Sequence, residues 1–493
     1  MNHKPTSEQE RIFMFIKKRP ENVLIKAYAG TGKTYTIVEA VKLLPKDKSI
    51  MFLAFNKHIQ EELKTKLPEY VRCYTTYGLG TAAIKRKYGD SIQFDEFKID
   101  KIIQKKAKGW NLNEEFDGDE EISIYLNLVK KLVNLCRLTL TLKPEYVSYI
   151  TDRYDINITK PKDIKRVFKV LDEATNDRKS FDYTDMIYLP AVDNSIWMFP
   201  QDYVFIDETQ DLNKCQIRIV EKILKKDKLS GKLTGRLISV GDKFQGVYGF
   251  NGSDEKSFEW FEKFPNTKIL PLTVSFRCAK NIILKAQEIV LDIKALDNAP
   301  DGVVREGDVL TEAQSGDFVL CRTTMPLVKL FFEFLTQHKK AIIKGSDIGV
   351  HLIELIGKIN NIDKLRTFWE HELESFRKDL KSSGVLNPIE HSGYSALEDK
   401  VTTLLFLARL SNSISDLKLK IKTIFTDDIE GICLSTIHKI KGLESDRVFI
   451  VRPDLMPLPN TRSWQFVQEK NLEYVAITRA RLELIYDKNW SDE

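Results

Sequence analysis

The sequence predicts an α/β protein built from two parallel-sheet units, each carrying a mostly helical insertion. Three observations predict it. Short apolar runs alternate with amphipathic helical patterns near both ends of the chain, that alternation twice gives way to long charged helical stretches, and a glycine-rich turn joins the first apolar run to the next helix. The 493 residues suffice for about three or four domains, with cores large enough to need no disulfide staples.

In chain order, residues 8–18 read as an amphipathic helix behind the capping sequence Thr6-Ser7-Glu8-Gln9. Val23 to Ala27 has a buried-strand pattern, the turn Ala29-Gly30-Thr31-Gly32 follows, and residues 33–44 are helical. Residues 49–55, 57–67 and 71–74 repeat the order of strand, helix, strand. From about 85 to 178 lysine-rich amphipathic segments dominate, then strands resume at 203–206, 236–240 and 268–270. A strand at 317–321 precedes a helix at 326–335, charged helical segments fill 350–425, and strands return at 432–434 and 448–451. This pattern divides the chain into a first α/β domain (1–88 and 182–267), a helical insertion (89–181), a second α/β domain (268–340 and 431–493) and a short insertion in it (341–430).

Composition is ordinary for a globular protein: 42% hydrophobic and 30% charged residues, which excludes a disordered or fibrous chain. No apolar run approaches the ~20 residues of a spanning helix, and the polar start lacks the apolar stretch of a signal peptide, so a cytoplasmic protein without membrane partners is expected. Six scattered cysteines without a CxxC pair, and seven histidines without metal spacing, disfavour disulfide and zinc frameworks. The 76 basic and 71 acidic residues leave a net +5, too little to name a partner.

Local motifs carry the chemistry. Ala27-Tyr28-Ala29-Gly30-Thr31-Gly32-Lys33-Thr34 fits a phosphate-binding loop, with alanine where the strict pattern begins with glycine. In such a loop backbone N–H groups and a helix N-terminus face the phosphates, a lysine (here Lys33) reaches the β/γ oxygens, and a hydroxyl (Thr34) ligates Mg²⁺. The loop calls for an acidic partner, and the strand-like Val204-Phe205-Ile206 ends in Asp207-Glu208: Asp207 to hold Mg²⁺, Glu208 to orient and deprotonate the attacking water. The spacing of 174 positions from Lys33 to Asp207 is too long for a compact nucleotide kinase and agrees with an insertion.

Asp207-Glu208-Thr209-Gln210-Asp211 resembles motif II of superfamily 1 helicases of the UvrD/Rep type, and further motifs follow in the family's order. Val240-Gly241-Asp242-Lys243-Phe244-Gln245 through Phe250 is similar to motif III, Leu272-Thr273-Val274-Ser275-Phe276-Arg277 to motif IV, Leu434 through Glu444 to motif V, and Tyr474 through Ala480 to motif VI. Ala54-Phe55-Asn56-Lys57 resembles the F-box DNA helicase branch in style, although no F-box segment is evident.

The resemblance implies two RecA-like domains, ATP and Mg²⁺ as cofactors, and DNA-stimulated ATP hydrolysis. It implies nucleotide contacts from Gln9 (to adenine), Ala29, Gly30, Thr31, Gly32, Lys33, Thr34, Tyr35, Phe276 (stacking on the base), Arg277, Glu444 (to ribose) and Arg479. Of these, Arg277 and Arg479 correspond to arginines that reach the γ-phosphate, and Gln245 to a glutamine that senses it. DNA contacts are implied at Phe55, Asn56, Tyr74, Tyr77, Tyr248, Phe250, Thr436 and His438, with aromatic faces stacking on unpaired bases; core packing is the alternative for Phe55, Tyr74, Tyr77 and Phe250. The implied activity is translocation on single-stranded DNA, 3′ to 5′, with duplex unwinding in replication, repair or recombination; the alternative is a translocase that strips proteins from single strands. The implied partners are single-stranded DNA and single-strand/duplex junctions, with single-strand-binding or replication proteins as further candidates, and the active form is a monomer. Two readings stand beside these: Asp182-Tyr183-Thr184-Asp185 as a channel segment or a helix cap, and Lys101, Lys105, Lys106 and Lys108 as a duplex contact or a solvated helix face.

Overall fold

The computed structural model describes residues 4–490 except 117, 155, 157, 159, 248–251, 253–255, 358, 383–388, 390–391, 429, 459–462 and 489. The chain divides into two compact units, Met1–Tyr28 with Gly32–Leu272, and Thr273–Glu493 with Ala29–Thr31. The strands in chain order are β1 (Asn22–Ala27), β2 (Ile50–Ala54), β3 (Val71–Thr75), β4 (Gln93–Phe94), β5 (Ser180–Phe181), β6 (Tyr203–Ile206), β7 (Arg236–Gly241), β8 (Thr267–Leu272), β9 (Val274–Ser275), β10 (Lys294–Ala295), β11 (Val303–Glu306), β12 (Phe318–Cys321), β13 (Ala341–Lys344), β14 (Phe425–Thr426), β15 (Ile432–Thr436), β16 (Ser445–Val451) and β17 (Ala480–Asp487).

The first unit is built on a six-stranded sheet in the order β3-β2-β6-β7-β1-β8, with every pairing parallel. β1, β2, β6 and β7 are buried along nearly their whole length, as apolar runs without alternation require in a sheet covered on both faces. On one face the helix Ser7–Lys18 packs Ile12 and Ile16 with Ile37 and Val41 of the helix Lys33–Lys42 against Val23, Ile25 and Phe52. The capping sequence does what its pattern predicts: Thr6 Oγ1 accepts the Gln9 N–H at 3.2 Å, and Gln9 Oε1 accepts the Thr6 N–H at 3.0 Å.

Between β3 and β6 the chain is helical (Thr76–Tyr88, Lys98–Ala107, Asp119–Leu138, Val147–Arg153, Pro161–Asn176 and Asp185–Val192), apart from β4 and β5, which pair with each other in parallel. A buried ion network ties these helices together. Arg137, wholly buried, donates to Asp182 at 2.6 and 2.7 Å and to Asp185 at 2.5 Å, while Lys98 Nζ reaches Asp185 at 2.7 Å. Four charges taken from water are tolerated because each finds an opposite partner with direct hydrogen bonds.

The second unit holds a seven-stranded sheet in the order β11-β17-β16-β12-β15-β13-β14, again parallel at every pairing. The helices Ser346–Ile356, Ile362–Ser382, Ser392–Arg409 and Ile414–Ile424 lie between β13 and β14. Two strands fall elsewhere than the sequence boundaries placed them. Thr267–Leu272 pairs with β1 at the edge of the first sheet, and Ala341–Lys344, taken as the start of an insertion, pairs with β15 inside the second.

Candidate functional site

In a parallel sheet, ligands are received at the carboxyl ends of the strands. The strand order sets β6, β7 and β1 side by side, so the residues that follow Ile206, Gly241 and Ala27 converge. After β1 the chain turns through Gly30 and Gly32, at φ +71° and +75°, and the ten-residue helix Lys33–Lys42 begins. Both dihedrals are left-handed, which explains glycine at each position.

Lys33 Nζ lies 3.0 Å from Glu208 Oε1. Burial disfavours its charge, yet Glu208, Asp242 and Asp207 outweigh burial and hold the ammonium above its ordinary pKa. Thr34 Oγ1 approaches Asp207 Oδ2 at 3.5 Å. Burial pushes Asp207 up to about 7, with Glu208 adding to the shift and Lys33 opposing it; burial likewise pushes Asp242 up to about 6. Three carboxylates around one ammonium form a cluster short of positive charge, and hard oxygen donors at Thr34 and Asp207 are of the kind that suits Mg²⁺. The donor set therefore fits the metal that the loop calls for.

Two members of this cluster were not assigned a role from sequence. Asp242, wholly buried, accepts from the Phe244 N–H at 3.0 Å and from Gln245 Nε2 at 2.8 Å. Gln210 donates to Glu208 Oε2 and to Asp211 Oδ2, the latter at 3.0 Å, while its Oε1 accepts the Asp242 N–H at 3.0 Å. The signal was present, since both stand inside motifs quoted for their neighbours. Glu208 itself has φ +52°, unusual for a residue with a side chain.

Gln9 is buried, and its Nε2 donates to Thr36 Oγ1 at 3.0 Å, so it links the first helix to the helix after the glycine turn as well as capping the former. Tyr35 is exposed on that helix. Phe55 follows β2 and Asn56 caps the next helix, accepting the Ile59 N–H at 2.9 Å. Tyr74 is half-buried in β3. Tyr77 stacks on Tyr183, with ring centroids 4.3 Å apart at 19°, and Tyr183 is 60% exposed. The neighbours of Tyr183, Asp182 and Asp185, cap one another reciprocally at 2.7 and 3.0 Å. Tyr248 and Phe250 lie outside the described residues. Lys101 pairs with Asp95 at 2.7 Å, and Lys105 and Lys106 pair with Glu173 at 2.8 and 2.6 Å.

In the second unit Arg277 forms an ion pair with Glu444 and donates to Thr478 O at 3.3 Å. Arg479 is buried and donates to Val475 O at 3.0 Å and Leu443 O at 3.1 Å; burial, and then the nearby Arg277, lower its pKa to about 10. Phe276, next to Arg277, is half-buried. Thr436 ends β15, buried. His438, half-buried, is held well below its ordinary pKa by burial, then by Arg322 and Lys439. Arg322 makes a bidentate pair with Glu469 at 2.7 and 2.9 Å.

Among the described residues no helix is long and apolar enough to cross a membrane. Residues 7–266 match the UvrD/REP helicase N-terminal domain and residues 336–489 the UvrD-like helicase C-terminal domain. F-box DNA helicase protein 1 of Schizosaccharomyces pombe is 25% identical over an alignment covering 98% of this chain and 57% of that protein. F-box DNA helicase 1 of Gallus gallus is 26% identical, over 97% of this chain and 48% of its own, and the ATP-dependent DNA helicase PcrA of Staphylococcus aureus 22%, over 65% and 45%. The chain spans about half the length of the curated relatives it matches. With two parallel-sheet RecA-like units and both family domains represented along its length, the chain belongs to the UvrD/Rep helicase family.

Proposed function

We propose that the chain is an ATP-dependent DNA helicase that moves 3′ to 5′ along single-stranded DNA and separates duplex ahead of it. The observation that carries the reading is the meeting of Lys33, Thr34, Asp207 and Glu208 at the carboxyl ends of adjacent strands in a family of helicases. In this reading the backbone of residues 29–32 cradles the phosphates, and Lys33 leaves Glu208 to reach the β/γ oxygens. Mg²⁺ bound at Thr34 and Asp207 would neutralise charge on those oxygens. Glu208, freed from Lys33, orients the attacking water and takes its proton. Arg277 and Arg479 stabilise the charge that develops on the transferred phosphoryl, Gln245 reports its presence, and Gln9, Tyr35, Phe276 and Glu444 contact the nucleoside.

The DNA path takes in Phe55, Asn56, Tyr74, Tyr77, Tyr248, Phe250, Thr436 and His438, with aromatic rings holding bases by stacking, which tolerates any sequence. Residues 1–88 with 182–272, and 273–344 with 425–493, serve as the motor domains, and the helical stretches 89–181 and 345–424 as insertions. The protein acts as a monomer in the compartment that holds its DNA, in replication, repair or recombination, alongside single-strand-binding or replication proteins. The test is ATP turnover with single-stranded DNA, duplex DNA and RNA, followed by strand displacement on substrates with 3′ or 5′ tails. Stimulation by single-stranded DNA and displacement from 3′ tails are expected. Turnover with displacement of bound protein but no strand separation would instead establish a stripping translocase.

A further inference from the structure

We infer that Gln210 is a positioning residue that holds the carboxylate of Glu208 in register with the loop after β7. The inference rests on the ATPase reading above. Gln210 is buried, and its amide orientation is fixed, because the backbone N–H of Asp242 needs an acceptor and takes Oε1 at 3.0 Å. The NH₂ group must then face Glu208 Oε2 and Asp211 Oδ2, and it donates to both. Space enforces the arrangement too: a Cβ on Gly241 would come within 2.7 Å of Gln210 Oε1 and 2.3 Å of Thr209 Oγ1, so only glycine lets the amide lie against the end of β7.

The two oxygens of Glu208 thus have different keepers. Lys33 holds Oε1, and Gln210 holds Oε2. A lysine that moves to phosphate releases its oxygen, whereas the amide stays. A neutral donor is suited to this task, since it orients the carboxylate without the second positive charge that would lower its basicity. The bond also supports Glu208 in its left-handed backbone conformation, together with the Asp211 N–H that donates to Glu208 O at 3.0 Å. Because Asp242 in turn accepts from Gln245, one continuous chain of hydrogen bonds runs from Glu208 through Gln210 and Asp242 to Gln245.

The experiment measures kcat, KM, affinity for a fluorescent ATP analogue and melting temperature in the full chain. Gln210→Met removes both arms of the amide. Gln210→Glu keeps an acceptor for Asp242 but offers Glu208 no amide donor. Both variants are expected to lose kcat by about 10- to 100-fold, the scale on which a misplaced reacting group costs rate, with nucleotide affinity and KM within about twofold of wild type. Unchanged kcat in Gln210→Glu would overturn the inference, as would a parallel fall in kcat, nucleotide affinity and melting temperature, which marks a purely structural role. If the unaltered chain shows no DNA-stimulated turnover, the ATPase reading fails first and takes the inference with it; turnover abolished by Lys33→Ala but untouched in both Gln210 variants sinks the inference alone.

Discussion

The first unit gathers carboxylates around its lysine, and the second gathers arginines around Glu444. Around Lys33 stand Asp207, Glu208 and Asp242, with Asp207 and Asp242 pushed up toward neutral pH by burial. In the second unit Arg277 has Glu444, but the buried Arg479 spends its N–H groups on two carbonyls and the Thr478 hydroxyl, and its pKa is lowered to about 10. Shifts of this kind mean that burial outweighs the compensation present. A buried, under-compensated group is stabilised when a counter-charge binds, and on the function proposed above that counter-charge is metal and lysine-bound phosphate for the carboxylates and developing phosphoryl charge for the arginines.

The strongest way to break that contrast is to remove its two central cations. Lys33→Ala and Arg479→Ala are each expected to cut DNA-stimulated kcat by about 10³-fold or more, in line with the loss of groups that stabilise a transferring phosphoryl. They should differ in binding. Lys33→Ala leaves three carboxylates facing the incoming phosphates and weakens nucleotide affinity, whereas Arg479→Ala leaves that affinity within a few fold, as fluorescent-nucleotide titration would show. Arg479→Ala with undiminished turnover would mean that its burial serves packing alone.

What could be read from sequence and what could not follows the same physics. The loop 29–34 and the pair Asp207-Glu208 were legible because their constraints are local: positive φ calls for glycine, a strand that ends in carboxylates shows its polarity in the chain, and a cap declares itself within four residues. Asp242 and Gln210 stand inside motifs, but their part in the site was not legible, because their burial depends on the sheet order β6-β7-β1, which sets distant segments beside each other. Strand membership failed for the same reason. Thr267–Leu272 reads as an ordinary strand, and nothing local says that its partner is β1. Nor does anything local to Arg137 show that it is wholly buried against Asp182 and Asp185, residues far along the chain.

A smaller effect sharpens the comparison on the nucleic-acid side. The Tyr77–Tyr183 stack belongs to the first unit and joins the helix after β3 to the segment before Asp185. Tyr77→Ala should weaken binding of a labelled oligo-dT by about tenfold, as loss of one base-stacking face does, without altering nucleotide affinity in the absence of DNA. Equal loss of both would show that the tyrosine pair supports the unit as a whole.

The comparison extends to a difference in sign with pH. His438 has its folded pKa depressed, so below its ordinary value of about 6.5 the unfolded chain takes up a proton that the folded chain refuses; the contribution is present above that pH and is lost as pH falls, by at most about 1.4 kcal/mol per unit. Asp207 and Asp242 run the other way. With folded values of about 7 and about 6 against an ordinary 3.8, the folded chain keeps protons that the unfolded chain has already released, so stability declines as pH rises from about 4 and levels off above about 7. The opposing contributions overlap between about pH 5 and 6.5, so calorimetry of the full chain in EDTA separates them by substitution: His438→Gln should make stability fall more steeply with rising pH, Asp242→Asn less steeply, and Mg²⁺ should suppress the fall by favouring ionised Asp207. If Asp242→Asn left the slope unchanged, or His438→Gln made it shallower, the opposite signs assigned to the two units would be wrong.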